Sequence, residues 1–147
     1  MASCKRVTGS PNIHFYQEAA AGAADAFRIG DLVQLDSSGE LVIASAGKIL
    51  GIAHKTATGT ASTEIPVDVL SQHDEFIATW TAEATSEAHI GSICDFTFTV
   101  GAHTLASGGT TDVVMVDFAS GSPVGTTSGK VIVRVIPAAS QLAGVTQ

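Results

Sequence analysis

The chain is short of charge, of aromatic rings and of basic residues, and each shortage narrows what it can be. Charged residues make up 14% of its 147 positions, against about a quarter in an ordinary soluble domain. So sparse a surface points to partial cover by partners. Aromatics make up 5%, with one Trp and one Tyr, so the core has to be carried by Val, Ile, Leu and six Phe, which suits thin sheets. Seven Lys and Arg against fourteen Asp and Glu give a formal charge of −7. Non-specific nucleic-acid binding needs Lys and Arg to displace counterions along a phosphate track, and seven scattered cations cannot build one. Two cysteines, Cys4 and Cys94, allow a single bridge and read as free thiols of a reducing compartment. No apolar run approaches the ~18 residues of a membrane span, and none follows Lys5 and Arg6 as it would in a secretory signal. The expectation is a soluble protein made in a cytoplasm, with neither nucleic acid nor membrane as partner.

What is present is strand punctuated by glycine. Residues 27–70, FRIGDLVQLDSSGELVIASAGKILGIAHKTATGTASTEIPVDVL, divide into runs at 29–35, 40–44, 48–53 and 64–70. Asp36-Ser-Ser-Gly39 is a turn tetrad whose glycine tolerates positive φ, so the first two runs form a hairpin. Gly51 inside the third run predicts a bulge or the close approach of another backbone, and Pro66 inside the fourth predicts an edge or bulged position. A fifth run, 75–81, carries Trp80. From Gly91 the pattern returns as a run at 93–99, a loop over 101–109, and runs at 112–118 and 130–136. The last two match 48–53 and 64–70, and the loop 120–129 matches 54–63.

The predicted fold is all-β. It has a compact β-barrel or β-tulip-like body over residues 17–137, made of two similar strand–turn halves, an internal repeat of 30–70 and 91–136. Residues 1–16 read as an extended N-terminal arm, the first twelve ordered only on binding and 13–16 an edge strand or anchor. The alanine-rich run 18–26 reads as a loop with one helical turn at most, 82–88 as a loop or frayed turn, and 138–147 as a C-terminal tail.

The residues that carry chemistry elsewhere form no site in the sequence. His14, His54, His73, His89 and His103 make no closely spaced pair, and there is no Cys-x-x-Cys, so no metal is expected. Cys94 with His89, His103 and Asp95 is the one set that resembles a thiol nucleophile and its base. Cys94 alternates in phase with Phe96 and Phe98, however, which is the pattern of a core position. Gly125-Thr-Thr-Ser-Gly129-Lys130 has one residue too few between its glycines for a phosphate loop, has Val131 where Ser or Thr would hold magnesium, and precedes a strand. Asp74-Glu75 falls at a turn, and residues 36–40 lack the aspartate spacing of a calcium loop. No Gly-x-Ser-x-Gly elbow exists. The expectation is a protein that is not an enzyme and holds no cofactor.

FRIGDLVQLDSSGELVIA, KILGIA and IPVDVL, followed by IGSICDF, DVVMVDF and GKVIVRVI, resemble the small head decoration (cement) proteins of tailed bacteriophages over residues 13–136. The resemblance implies a β-barrel or β-tulip-like body bound to the outer surface of an expanded icosahedral head, which it stabilises. It implies the major capsid protein as partner, self-association, commonly as a homotrimer, synthesis in the host cytoplasm, and an N-terminal arm reaching onto the shell. The family pattern does not fix the contact residues of that arm. Within residues 1–16 the side chains suited to gripping a capsid are Lys5, Arg6, Ile13, Phe15 and Tyr16. The alternative reading is a carbohydrate- or receptor-binding β module on the virion surface, for which Trp80, Tyr16 and Phe15 are the rings able to stack on a sugar.

Overall fold

A computed structural model describes residues 4–19, 25–81 and 84–141. Among them the chain forms eleven strands and one 3-10 turn, Glu87–His89. After β1 (Lys5–Arg6) come β2 (Ile13–Gln17), β3 (Leu32–Leu35), β4 (Leu41–Ile43), β5 (Gly51–Ala53) and β6 (Glu64–Val69), which form a sheet in the order β2-β6-β5-β3-β4. Next come β7 (Phe76–Trp80), β8 (Ile93–Thr97), β9 (Thr104–Ala106), β10 (Val113–Phe118) and β11 (Lys130–Val135), in the order β7-β11-β10-β8-β9, with β1 added outside β7. Parallel pairing of β7 with β9 closes these five strands into a barrel.

The two halves share one topology. In each, the first strand pairs with the fifth, the fifth with the fourth, the fourth with the second and the second with the third. The register also agrees. Tyr16 lies opposite Ile65 as Ala78 lies opposite Val131, Ile52 opposite Asp68 as Val114 opposite Arg134, and Val33 opposite Gly51 as Cys94 opposite Val113. Gly30 and Gly91, at φ of 91° and 84°, donate to the carbonyls of Ala53 and Met115 at matched places. Even the closing contact recurs in reduced form. The first half has the single parallel bridge Glu18–Leu41 where the second pairs Thr79 with Thr104 and Trp80 with Leu105.

Alternation decides which side chains fill the interior. Phe76, Ala78 and Trp80 of β7 and Val131, Val133 and Val135 of β11 point into the second barrel, with Leu105 and Met115. Phe27, Val33, Leu41, Leu50, Ile65 and Val67 fill the first half. The second cluster also takes in Cys4, Leu32, Ile49, Ile52 and Leu70 from the first half, so the halves share a core. Polar bonds close the seam. Gly47 N–H donates to Asp112 Oδ1 at 2.8 Å, Leu32 N–H to His103 Nε2 at 2.9 Å, and the Gln141 side chain bonds both N–H and C=O of Leu35.

Four expectations need correction. Residues 4–12 do not stand off the body as an arm; they lie along it and include β1, while 13–16 form the edge strand expected there, β2. The reason is chemical: Arg6 finds two carboxylates there, and Cys4 fills a core position at 3% exposure. Pro66 sits in an interior strand. It stands just beyond the end of β5, where His54 N–H donates to its carbonyl at 2.9 Å, so its missing donor falls outside the β5 ladder. The stretch 101–109 contains β9, whose three residues are enough to close the barrel. The N-terminal strand of each repeat unit, β2 or β7, also belongs to the repeat, which therefore begins before Gly30 and Gly91. Residues 20–24 of the alanine-rich run and 142–147 of the tail lie outside the described residues.

Candidate interaction surface

The five side chains singled out in residues 1–16 have different fates. Arg6 is committed inside the chain. Its Nε and Nη2 donate to Asp68 Oδ2 and Oδ1 at 2.8 and 2.6 Å, and its Nη1 donates to Asp74 Oδ1 at 2.7 Å. With side-chain exposures of 7% for Arg6 and 1% for Asp68, this is a buried bidentate pair, so the guanidinium is not free to grip a capsid. Burial pushes the Asp74 carboxyl up, but Arg6 and the Ser71 N–H more than offset it, holding the carboxyl below its ordinary value. Tyr16 turns inward, half-buried against the first core, and desolvation raises its phenol pKa. Lys5, Ile13 and Phe15 remain exposed. Ile13 and Phe15, on the same side of β2, are 38% and 62% exposed beside Asp68 and Pro66 of β6.

The thiol set is not assembled. Cys94 is fully buried. His89 accepts from Ser86 N–H at 3.1 Å and lies against Trp80, with ring centroids 4.9 Å apart. Asp95 accepts from the N–H groups of Thr110, Thr111 and Asp112; burial pushes its carboxyl up, but these donors prevail and hold it low. His103 accepts from Leu32 N–H at Nε2 and donates from Nδ1 to Thr99 C=O at 2.9 Å, which makes it a neutral imidazole. Gly101 N–H bonds both oxygens of Asp31, and Asp31 Oδ1 lies 4.0 Å from His103 Nε2. His89, Asp95 and His103 are each engaged in holding a loop, and Cys94 packs in the core. Among the described residues no three His, Cys, Asp or Glu side chains gather as a metal would require.

Two clefts lie at matched places, each on the face of its half opposite that half's own filling, the first of them along the seam between the halves. The first, about 310 Å³, is lined by Pro11, Ile52 and Asp68 together with Cys4, Lys5 and Arg6 of the N-terminal segment. The second, about 450 Å³, is lined by His73, Val114 and Arg134 with Gln72, Ile136 and Pro137. Ile52 and Asp68 match Val114 and Arg134 in register. Pro11 and His73 each stand three residues before the matched pair His14 and Phe76. The sequence carried a signal for these clefts that motif searching does not use. IPVDVL and VIVRVI each place one charged residue, of opposite sign, at the same position of an apolar strand. No protein-family model matches the chain, and no curated protein matches it.

Proposed function

We propose that the chain is a head decoration protein of a tailed bacteriophage, synthesised in the host cytoplasm. It binds the outer surface of an expanded icosahedral capsid through the major capsid protein, as a homotrimer, and stabilises the shell. The observation that carries this reading is Phe15, 62% exposed on the edge strand β2 with Ile13 beside it. Neither side chain is needed to fill the core. Single exposed apolar residues are ordinary, but paired on an edge strand of a chain with 14% charge they suit a covered face. The function requires complementary faces and no reacting group. A protein that binds the assembled shell and not its separated subunits stabilises it by about 2.7 kcal/mol per site at a hundredfold excess over Kd.

The sugar-binding alternative loses its main ring. Trp80 is 0% exposed inside the second barrel and Tyr16 is half-buried, which leaves Phe15 alone. The test is co-sedimentation with expanded heads stripped of decoration protein, alongside thermal melting of those heads. Wild-type protein is expected to pellet stoichiometrically and raise the melting temperature. Phe15→Asp is expected to weaken binding at least tenfold, about 1.4 kcal/mol, with an unchanged urea midpoint. Wild-type protein that neither pellets nor shifts the melt sinks the reading.

A further inference from the structure

The matched clefts differ in what covers them. In the first half, the chain's own residues 4–12 cross the face that carries the cleft. Arg6 clasps Asp68, Asn12 N–H adds a third bond to the same carboxylate at 2.9 Å, and Ile52 on that face is buried in the core the two halves share. In the second half, the same register places Val114, Arg134 and Ile93 on the corresponding face. There Ile93 is 38% exposed, Val114 is half-exposed, and the guanidinium of Arg134 has no ion pair among the described residues. An apolar cleft with an exposed, unneutralised cation is the charge-reversed counterpart of the occupied one.

We infer that this second cleft is a docking site for an extended, carboxylate-bearing segment of a partner protein, clasped by Arg134 as Asp68 clasps Arg6. The covered half supplies the template for the geometry: a backbone laid across the fourth and fifth strands of the unit, with one long polar side chain reaching the central charge. Arginine offers a planar fork that takes a carboxylate through two parallel bonds, and His73 at the rim adds a further donor. In naming the shell subunit as the source of the segment, the inference rests on the decoration reading. The chemistry of the cleft stands apart from it.

Two measurements on the full chain test it. The first is an amide NMR titration with a synthetic peptide of residues 4–12 carrying Cys4→Ser and Arg6→Glu, the covering segment with its charge reversed. Saturable shifts are expected at Val114, Arg134 and Ile136. They should vanish in Arg134→Glu and with the peptide that keeps arginine. The second is head co-sedimentation, in which Arg134→Glu should bind at least tenfold more weakly, Arg134→Lys less so, both with unchanged urea midpoints. Weakened co-sedimentation of Arg134→Glu supports the site even where this peptide does not shift the cleft. No shifts, with Arg134→Glu pelleting like wild type, overturn the inference and leave the decoration reading standing. Shifts with no pelleting of the wild type keep the cleft and remove the shell as its partner. Self-association that Arg134→Glu abolishes, without any peptide effect, makes the occupant a second copy and overturns the inference.

Discussion

His103 holds the start of β3 through its unprotonated Nε2, and that bond requires a neutral ring. Burial lowers its pKa below the ordinary 6.5, while Asp31 pulls the other way without prevailing. The folded state therefore takes up this proton less readily than the unfolded chain. The stability that His103 confers is intact above pH 6.5 and is lost as pH falls below it. The unfolding free energy from urea curves should fall between about pH 7.5 and about pH 5, by at most about 1.4 kcal/mol per pH unit from this group. His103→Gln should be less stable near neutrality and show a flatter slope; an unchanged slope would assign the acid sensitivity elsewhere. Gly51 is a second case settled by a single atom. A Cβ there would lie 2.2 Å from the Asp68 carbonyl oxygen, which is backbone and held in the β5–β6 ladder. Gly51→Ala should cost about 3 kcal/mol. Gly39→Ala should cost about 1 kcal/mol, because its left-handed φ of 77° is the sole penalty in an open turn. Chemical denaturation of the two variants checks the order. The Gly51 contact was legible in the sequence, since a glycine inside a strand run signals close approach. The burial of His103 was not, because its partner Leu32 lies 71 positions away.

β1 shows how an element of two residues can be fixed by one side chain. Its ladder to β7 is short, and Arg6 supplies the rest by bridging Asp68 and Asp74. Removing the guanidinium leaves Asp68 buried with Asn12 N–H as its remaining donor. Arg6→Ala should therefore cost about 3 kcal/mol, whereas Arg6→Met with Asp68→Leu should recover much of that loss. The same urea series reads both, and equal losses in single and double variants would mean that the ion pair contributes little. Longer elements were easier to read. The hairpin around Asp36–Gly39 and the runs that became β6, β7, β10 and β11 carry enough Val, Ile and Phe to announce themselves. Residues 4–12 carry no such pattern. Their order comes from a carboxylate 62 positions on, so local composition gave a false impression of an arm. β9 was hidden for a related reason: three residues flanked by glycines look like loop until β7 and β8 are seen on either side of it.

At the scale of the molecule the halves are alike in topology but not in independence, because one core cluster draws side chains from both. Unfolding is expected to be a single transition. Trp80 sits in the second half and Tyr16 in the first, so fluorescence of the one and the near-ultraviolet signal of the other should give coincident urea curves. Separated midpoints would show that the shared core does not couple the halves. The repeat was visible in the order of runs and loops. Its extent was not, since β2 and β7 share hydrogen-bonding register rather than residues, with Glu18 of the first half standing where Trp80 stands in the second. The two cysteines carry one more consequence. Cys4 is tucked from the start of the N-terminal segment into the shared core, and Cys94 lies inside the second barrel. Neither is within reach of a thiol reagent in the native fold. A quench-flow labelling experiment would therefore time two distinct events in unmodified protein: the lifting of residues 4–12 and the breaching of the barrel wall.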